Sequence, residues 1–598
     1  MNARWNGRRS ARFLALALTP LAFAATAAAQ QTTRASVDEF GVEGDDDSST
    51  PVLSRDGRFV VFQSDATNLV PGDTNFNMDV FVHDRLTGTT RQVSVDSLGV
   101  GGDGPSREPA VSADGRFVAF TSDATNLVPG DTNNGWDVFV RDLVLGTTER
   151  VSVDSFGAQV NGISGAPTIS ADGRYVAFTS TASTLVPGDT NTYTDVFVRD
   201  LWNGITERVS VATGGAQAQN GTSDTPSISG DGRFVVFTSA APNLVANDTN
   251  SATDVFVRDL VLGTTERVSV SSAGVQGNVG SFLPVISLDG DWIAFQSNSS
   301  TLVAGDTNNT TDVFLRDRVL GTTERVSRAP NTGQPNGAST RPSISGDGTK
   351  ILFTSGASNL VVPDSNGPVS DTFLWSRQTG AITLVALTFD DRQVFEGSEW
   401  GTLAVDGLVV AFTGASNKYV PWDGNHAYDV FVRDLLPPPP APLVFCNADS
   451  SSTPCPCGNG GPDGVVGGCQ NSLALHGALL CEGTPRLSLD SVRFTGVNLP
   501  NSSALLLQGT ARENGGLGVV LGDGLLCVGG SLVRLGTKPV ASNGVVYPAL
   551  GDQPLSVQGA VLAGDVKTYQ LWYRNSSAAF CTPATYNLTN AWEIVWAP

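Results

Sequence analysis

The hydrophobic positions of this chain fall into short runs that return at a fixed spacing. In one copy, Phe117–Ser122 is apolar on both faces, and the run Asp137–Asp142 (Asp-Val-Phe-Val-Arg-Asp) follows after a polar stretch. An Asp-Gly step precedes each such pair of runs, and successive steps lie 58 or 59 residues apart. The seven steps begin at Asp56, Asp114, Asp172, Asp231, Asp289, Asp347 and Asp406. A fixed period of this size indicates repeated units that pack against their neighbours.

Each repeat is predicted to contain four β-strands. In the second copy these are Glu108–Ser112, Phe117–Ser122, Asp137–Asp142 and Thr148–Val153. The Asp-Gly step between the first two predicts a two-residue hairpin turn with positive φ at both central positions. Because the second strand is apolar on both faces, its sheet should lie between other sheets. Four antiparallel strands per unit, stacked around an axis, predict the blade of a β-propeller.

The two ends of the repeat array predict how the ring closes. The last repeat reaches Asp429–Asp434 and then stops without a fourth strand. A segment of matching type, Thr32–Val37, stands at the other end of the array. We therefore expect an all-β, seven-bladed propeller in which the N-terminal strand completes the last blade as a clasp. Such closure removes exposed sheet edges.

The motif Ser-x-Asp-Gly-Arg-Phe-Val-Ala-Phe, followed by Asp-Val-Phe-Val-Arg-Asp, resembles the repeat of TolB-like propellers. Related repeats occur in the propellers of prolyl-oligopeptidase-type proteins. The resemblance covers roughly residues 31–436, and it implies a propeller with an envelope or secreted role. The residue before Asp-Gly, usually proline in that family, is Ala, Gly, Leu, Val or Arg here.

Composition narrows the classes of partner. The formal net charge is −22, and no basic stripe offsets it, which argues against nucleic acid or an anionic membrane as partner. The N-terminus predicts export: a basic region precedes an apolar run over residues 13–28 and a small-residue cleavage site at Ala29. We therefore expect a signal peptide at residues 1–29 and an exported monomer, periplasmic, extracellular or at the cell surface. No later segment is long and apolar enough to predict a membrane span.

A proline-rich spacer at residues 437–442 predicts a domain boundary. Beyond it, residues 443–598 carry all seven cysteines and several short apolar runs, which predict a small disulfide-containing β-sandwich. This part resembles a C-terminal module of large secreted bacterial proteins. Its pair Trp572 and Tyr573 could form a sugar-binding platform or pack in the core. The cysteines are Cys446, Cys455, Cys457, Cys469, Cys481, Cys527 and Cys581.

One polar motif, Asp-x-Asn-x3-Asp, recurs between the second and third strands. Oxygen ligands with this spacing are what Ca²⁺ requires, so the motif predicts possible calcium sites. The alternative is that Asp and Asn cap their own turn through side-chain-to-backbone hydrogen bonds. The predicted ligands are Asp73, Asn75, Asp79, Asp131, Asn133, Asp137, Asp189, Asn191, Asp195, Asp248, Asn250, Asp254, Asp306, Asn308, Asp312, Asp423, Asn425 and Asp429. The sixth repeat has a longer version, Asp364, Asn366 and Asp371.

Signatures of catalysis are sparse. The chain has three histidines, His83, His426 and His476, and no Gly-x-Ser-x-Gly elbow. We therefore predict a non-enzymatic scaffold that binds a protein or polysaccharide through the rim of long loops. Two alternatives are a propeller hydrolase or lyase that uses rim carboxylates with a bound metal, and a purely structural cell-surface protein.

Overall fold

The computed structural model describes most of the chain as β-structure. The described residues are 32–597 apart from 331–332, 416, 422, 436–442, 447–454, 456–466, 483–484, 486, 488–489, 491, 522–523, 543, 550–551 and 575–585. The predicted signal peptide and the predicted proline-rich linker lie outside these residues and stay predictions. Within the described part of the chain, no helix has the length and apolar content needed to cross a membrane.

The described residues of the repeat region form seven antiparallel four-stranded sheets, which confirms the predicted propeller fold. Blade one contains β2 (Ser48–Leu53), β3 (Phe59–Ser64), β4 (Asp79–Asp84) and β5 (Thr89–Gln92). Blade two contains β6 (Ser106–Val111), β7 (Phe117–Ser122), β8 (Asp137–Asp142) and β9 (Thr147–Arg150). Blade three contains β10 (Ser164–Ile169), β11 (Tyr175–Ser180), β12 (Asp195–Asp200) and β13 (Ile205–Arg208). Blade four contains β14 (Ser223–Ile228), β15 (Phe234–Ser239), β16 (Asp254–Asp259) and β17 (Thr264–Arg267).

The remaining blades follow the same order. Blade five contains β18 (Ser281–Ile286), β19 (Trp292–Ser297), β20 (Asp312–Asp317) and β21 (Thr322–Arg325). Blade six contains β22 (Ser339–Ile344), β23 (Lys350–Ser355), β24 (Asp371–Ser376) and β25 (Ile382–Leu384). Blade seven contains β26 (Glu399–Leu403), β27 (Val409–Gly414) and β28 (Asp429–Asp434), and its fourth strand is β1 (Thr32–Arg34) from the N-terminal end.

The N-terminal strand closes the ring as predicted. β1 pairs antiparallel with β28, with Thr32 opposite Arg433 and Arg34 opposite Phe431. Just after β1, the Ser36 hydroxyl donates to Asp429 Oδ1 at 2.6 Å. The clasp therefore supplies the fourth strand and the serine-to-aspartate hydrogen bond that blades one to five take from their own repeats.

A circle of backbone hydrogen bonds joins the blades near the Asp-Gly turns. Each member is an amide of one blade that donates to a carbonyl of a neighbouring blade, at 2.8–3.1 Å. The seven bonds run from Arg55 to Ala113, Ala113 to Ala171, Ala171 to Gly230, Gly230 to Leu288, Leu288 to Gly346, Gly346 to Val405, and Asp406 back to Arg55. The circle is complete and therefore also connects blade seven to blade one. It satisfies backbone hydrogen-bonding groups of the turns.

The Asp-Gly turns differ from the predicted two-residue hairpins. In blade two the connection spans four residues: the amide of Ser112 donates to the carbonyl of Phe117, the amide of Phe117 donates to the Ser112 hydroxyl, and the amide of Gly115 donates to the carbonyl of Ser112. Of the Asp-Gly pair only Gly115 has positive φ, at 72°. A Cβ on Gly115 would lie 2.1 Å from the Phe59 ring of blade one. Glycine is therefore required by its φ and by packing against the previous blade.

The apolar core lies between neighbouring sheets, as the two-faced second strand predicts. Val118 and Phe120 of blade two are fully buried against Val61, Val80 and other residues of blade one. Phe120 also stacks on Phe139 within its own sheet, with ring centroids 5.8 Å apart. Each blade therefore depends on both neighbours for burial of its apolar side chains.

The C-terminal region contains a five-stranded and a three-stranded antiparallel sheet. The larger sheet consists, in spatial order, of β29 (Leu443–Phe445), β40 (Tyr586–Val595), β39 (Val566–Arg574), β32 (Ser503–Gly509) and β37 (Val533–Pro539). The smaller sheet consists of β30 (Ala478–Glu482), β31 (Arg493–Val497) and β38 (Val545–Tyr547). Shorter elements are β33 (Ala511–Arg512), a 3-10 helix (Glu513–Gly516), β34 (Val519–Leu521), β35 (Gly524–Leu526), β36 (Val528–Gly529) and α1 (Leu555–Gln558).

One apolar cluster joins the two larger sheets, which confirms the expected sandwich. Leu479, Phe494 and Tyr547 of the smaller sheet pack with Leu571 and Tyr573 of the larger sheet. Tyr573 is fully buried and therefore belongs to this core rather than to a sugar platform.

Two disulfides cross-link residues within the C-terminal region, as its cysteine-rich composition predicts. Cys446 bonds to Cys527 across 81 residues, and Cys455 bonds to Cys469 across 14 residues. Cys457 and Cys581 lie outside the described residues. Disulfides of this kind are consistent with export to an oxidising compartment.

Candidate functional site

Strand pairing places the short and long connections at opposite rims. Phe117 lies opposite Asp142, which also pairs with Thr147, so the Asp-Gly and Gly-Thr-Thr turns share one rim. At the other rim, Ser122 lies opposite Asp137 and Ser106. The long connections over residues 123–136 and 151–163 meet there. The recurring Asp-x-Asn-x3-Asp motif lies on this long-loop rim, as does its longer version in blade six.

In blade two, Asn133 makes the contacts of a turn cap. Its Oδ1 accepts from the amide of Gly135 at 3.3 Å, and its Nδ2 donates to Asp137 Oδ2 at 3.2 Å. The other oxygen of Asp137 accepts from the Ser152 hydroxyl at 2.6 Å. These are the side-chain-to-backbone bonds of the capping hypothesis, extended by a buried carboxylate.

An arginine occupies the space between the two carboxylates of this motif. The Arg150 guanidinium lies 3.1 Å from Asp131 Oδ1 and 3.3 Å from Asp137 Oδ2. The side chains of Arg150, Asp131 and Asp137 are 9%, 4% and 0% exposed, so their charges are largely removed from water. Gln159 Nε2 donates to Asp131 Oδ1 at 2.8 Å and completes the network. The sequence reasoning missed Arg150, although Thr-Glu-Arg-Val-Ser recurs with the period of the repeat.

Blades three, four and five close the motif in the same way. One guanidinium nitrogen contacts both aspartates in each blade, at distances between 2.9 and 3.5 Å. The arginines are Arg208, Arg267 and Arg325, and their carboxylate partners are Asp189 and Asp195, Asp248 and Asp254, and Asp306 and Asp312. The calcium hypothesis stays a prediction for these blades, where a protein cation already lies between the carboxylates.

Blade one lacks that cation. Gln92 stands opposite Phe81, where Arg150 stands opposite Phe139 in blade two, and Gly101 replaces Gln159. Asp73 Oδ1 is buried and has no hydrogen-bond partner among the described residues. Burial, together with the charge of Asp79, raises the pKa of Asp73 to about 6.

Blade six uses an amide in place of a cation. Leu384 occupies the arginine position, opposite Phe373. Gln393 Nε2 lies 2.9 Å from Asp364 Oδ1, 2.7 Å from Asn366 Oδ1 and 2.8 Å from Asp371 Oδ2. Burial raises the pKa of Asp371, and the hydrogen bonds from Asn366 and Gln393 oppose the shift.

Blade seven takes its arginine from the clasp. Arg34 lies 3.0 Å from Asp429 Oδ2 and 3.9 Å from Asp423 Oδ1, and it also contacts Glu43. Glu43 occupies the position that Gln159 holds in blade two. Asn425 again caps its turn, since its Oδ1 accepts from the amide of Ala427 at 2.9 Å. Burial raises the pKa of Asp429 to about 6, although Arg34 and Ser36 oppose the shift.

A second candidate site lies in the central channel, which the first strand of every blade lines. These strands surround a cavity of about 520 Å³. At one equivalent position in each strand, a residue other than glycine has φ between 48° and 56°. The seven residues are Thr50, Glu108, Ala166, Thr225, Leu283, Arg341 and Trp400. Six of them precede a proline, and this proline recurs with the repeat period, a signal that the sequence reasoning did not use.

A β-bulge produces this backbone conformation. Arg107 pairs with Thr121 and Ala110 pairs with Ala119, so Glu108 and Pro109 together face one residue of the second strand. The same register shift occurs in the first strand of each blade. A left-handed conformation at a residue other than glycine costs about 1–2 kcal/mol, and the fold keeps it seven times.

Charged and aromatic side chains stand on this ring. The Arg341 guanidinium lies 3.9 Å from the ring centre of Trp400, and its Nη1 lies 3.5 Å from Glu399. In blade two, Glu108 Oε2 accepts from the amide of Ala166 at 2.9 Å. Leu283 adds an apolar side chain next to Arg341 around the ring. The channel therefore offers a cation, an aromatic face, an apolar contact and a carboxylate.

Comparison with known proteins finds solved structures that resemble this chain with low TM-scores. No family model matches the chain, and no curated protein matches it. The chain is similar to TolB from Acinetobacter baumannii, at 17% identity and a TM-score of 0.32 over 57% of this chain and 64% of that one. A putative TolB from Agrobacterium tumefaciens is 14% identical, with a TM-score of 0.32 over 58% of this chain and 94% of that one. A prolyl endopeptidase is 12% identical, with a TM-score of 0.41 over 76% of this chain and 55% of that one. TolB proteins and a peptidase are thus among the similar structures. The propeller assignment itself rests on the strand pairing.

Proposed function

We propose that this chain is an exported binding protein whose partner, a polypeptide or a polysaccharide, enters the channel mouth from the long-loop rim. The predicted export gives the location, and the long-loop rim and the central channel give the binding surface. The two disulfides support the exported location, because such bonds persist in oxidising compartments.

One observation carries the proposal: the seven bulge positions share a conformation but not a chemistry. The third strand reads Asp-Val-Phe-Val-Arg-Asp in blades two, three, four and seven. The bulge residues, in contrast, are Thr, Glu, Ala, Thr, Leu, Arg and Trp. A strained conformation held by the scaffold, with side chains that vary from blade to blade, is typical of a recognition surface.

The side chains at this position suit an extended partner with rings and polar groups. Trp400 is 43% exposed and keeps an open face beside Arg341. An aromatic ring beside a guanidinium can stack on a sugar or a side chain while the guanidinium binds a carboxylate or hydroxyl. Glu108, two blades away from Trp400, would bind an amine or hydroxyl of the same partner.

The test is a binding screen with matched tryptophan variants. The probes are an array of bacterial envelope polysaccharides and a random peptide display library. For probes that bind the native chain, Trp400→Ala and Arg341→Ala should each weaken binding about tenfold or more, because aromatic and arginine contacts dominate such interfaces. Fluorescence titration of the purified chain with each selected probe measures the dissociation constant.

Trp202 provides the control, because it is 67% exposed and lies in a turn of the short-turn rim. Trp202→Ala should leave the affinity unchanged. If Trp202→Ala abolished binding while Trp400→Ala retained it, the binding surface would be the short-turn rim and the proposal would be wrong.

A further inference from the structure

At the short-turn rim, an arginine that follows the third strand of blade five reaches across to blade four. The Nε of this residue, Arg318, lies 2.8 Å from Glu266 Oε1 of blade four, and its Nη1 donates to the carbonyl of Gly290 at 2.7 Å. Its guanidinium also lies 4.4 Å from the ring centre of Phe234, which already carries Arg233 of its own blade at 4.7 Å. This interface therefore holds a second guanidinium between a carboxylate, a carbonyl and an aromatic ring.

Blade one places an arginine in a similar way against blade seven. The Arg85 Nη1 donates to the carbonyl of Gly57 at 3.0 Å, and its Nη2 lies 2.9 Å from Asp434 Oδ2 of blade seven. Arg58 stays paired with Asp84 of its own blade at 2.7 Å. The inserted guanidinium therefore does not displace the arginine that already borders the interface.

Between blades three and four the inserted arginine is replaced by a leucine. Leu260 follows β16 as Arg318 follows β20, and the backbone amides of both make the same hydrogen bond within their blades, at 2.9 Å. A cavity of about 440 Å³ lies at this interface. Its walls include Tyr175, Glu207 and Gly232, which hold the strand and turn positions of the ring, the carboxylate and the glycine that surround Arg318. The same surroundings are therefore present here without the inserted arginine.

The two arginines that border this cavity already have partners. Arg174 pairs with Asp200 at 2.6 Å, and Arg233 pairs with Asp259 at 2.7 Å, each within its own blade. The Glu207 carboxylate, in contrast, makes no hydrogen bond or ion pair with the described residues. The cavity therefore has a carboxylate that lacks the cation its counterpart in blade four has.

The interface of blades two and three does not offer the same space. Leu201 stands at the arginine position there, but the cavity measures only about 130 Å³. Its walls include Leu145 and Trp202, at positions where the larger cavity has the smaller Asn203 and Val261. Pockets that bind small ligands usually measure roughly 300–1,000 Å³. Of these two cavities, the one between blades three and four is therefore large enough to take a ligand group.

We propose that the cavity between blades three and four binds a guanidinium group from outside the chain, as the next interface binds Arg318. The incoming group pairs with Glu207, stacks on Tyr175 and donates to the carbonyl of Gly232. The Tyr175 hydroxyl, which Phe234 lacks, makes no hydrogen bond with the described residues and offers a further acceptor. The planar fork of a guanidinium suits these separate acceptors better than a compact ammonium does. The site lies on the short-turn rim and is therefore separate from the channel.

The experiment titrates the native chain with N-acetylarginine amide and follows binding by ligand-observed NMR. N-acetylcitrulline amide has the same length but no charge, so it should bind about tenfold more weakly. Glu207→Gln should weaken binding of the arginine probe by up to about fivefold, the scale of an exposed ion pair. Glu149→Gln changes the same position in blade two and should leave binding unchanged. Free arginine distinguishes the source of the group: tighter binding than the blocked probe indicates a small molecule, and weaker binding indicates an arginine residue of a polypeptide.

Leu260→Arg gives a reciprocal test. It supplies from the chain itself the guanidinium that Arg318 supplies at the next interface, so it should abolish binding of the arginine probe. Circular dichroism confirms that the variant is folded, and the Glu207→Gln result decides the matter if it is not. The proposal is overturned if the citrulline probe binds as tightly as the arginine probe, if Glu207→Gln has no more effect than Glu149→Gln, or if folded Leu260→Arg binds the probe like the native chain.

Discussion

Blades one and two carry the same Asp-x-Asn-x3-Asp motif, but they surround it differently. In blade two, Arg150 lies between Asp131 and Asp137, and every charge has a partner. In blade one, Gln92 stands in the place of that arginine, and Asp73 keeps a buried oxygen without a donor. The capping contacts of the asparagine are nevertheless the same, since Asn75 Oδ1 accepts from the amide of Asn77 at 2.9 Å.

The comparison shows that the motif alone does not determine its own electrostatics. The fourth strand and the loop that follows it decide whether the two carboxylates meet a cation, an amide or a third carboxylate. Blade seven is the third case, because its closing residues Arg34 and Glu43 come from the opposite end of the array. Four variants test whether these surroundings account for the difference between the blades.

The largest effect is expected when blade seven loses its clasp. Deletion of residues 32–37 removes the strand that pairs with β28 and leaves Asp429, which is fully buried, without Arg34 and Ser36. We expect a markedly lower melting temperature and aggregation, because an open edge strand and an unpaired buried charge result together. Thermal melts and light scattering measure both effects.

The control for the deletion is Phe40→Ser, which changes an 81% exposed side chain of the same segment and should leave stability intact. A deleted chain as stable and monomeric as the native protein would show that blade seven does not need the N-terminal strand.

The next effect is expected from Arg150→Met in blade two. The change leaves Asp131 and Asp137 buried without a counter-charge, which costs about 3–5 kcal/mol in the free energy of unfolding. Urea denaturation measures the loss. Arg116 is the matched control, since it pairs with Asp142 at 2.6 Å but its side chain is 38% exposed. Arg116→Met should cost much less, and equal losses would contradict the burial argument.

A gain in stability is expected from Gln92→Arg in blade one. The substitution supplies the guanidinium that blade two already has. Space is available for it because Gly101 has no side chain at the position that Gln159 occupies in blade two. We expect the free energy of unfolding at neutral pH to rise by on the order of 1 kcal/mol. Gln92→Met, which adds no charge, should give no gain. A loss with arginine would show that the blade-one pocket is built for something other than a guanidinium.

The same variant should change the pH dependence of stability. The pKa of Asp73 is raised from 3.8 to about 6 in the folded chain, so the folded state binds the proton more tightly than the unfolded state. Its contribution therefore stabilises the protein below about pH 4 and is lost as pH rises to about 6. The difference in urea midpoint between the native chain and Asp73→Asn should therefore change between about pH 4 and about pH 6. In the Gln92→Arg background this pH-dependent change should be smaller.

The smallest effect is expected from Asn133→Ala, which separates turn capping from calcium binding in blade two. Loss of the cap should cost about 1 kcal/mol. Because Arg150 already lies between the carboxylates, we expect the same cost in calcium and in chelator. A cost that appears only in calcium would favour the calcium hypothesis for this blade.

The repeat period, the seven blades and the clasp could all be predicted from the sequence, because each depends on local pattern. Apolar runs such as Phe117–Ser122 encode a strand with two buried faces within six residues. The missing strand after Asp434 and the matching segment at Thr32 give the closure by counting alone. The capping role of Asn133 was also among the predicted alternatives, since it links residues two apart.

The rest was decided by tertiary structure, because it depends on residues that meet only after folding. Arg150 approaches Asp131 only when the fourth strand has paired with the third. Gly115 is required partly by Phe59 of the neighbouring blade, and not by the turn alone. Cys446 and Cys527 are 81 residues apart, a distance from which spacing cannot select a partner. The channel residues face one another across seven repeats, so their shared position becomes a site only when the ring has closed.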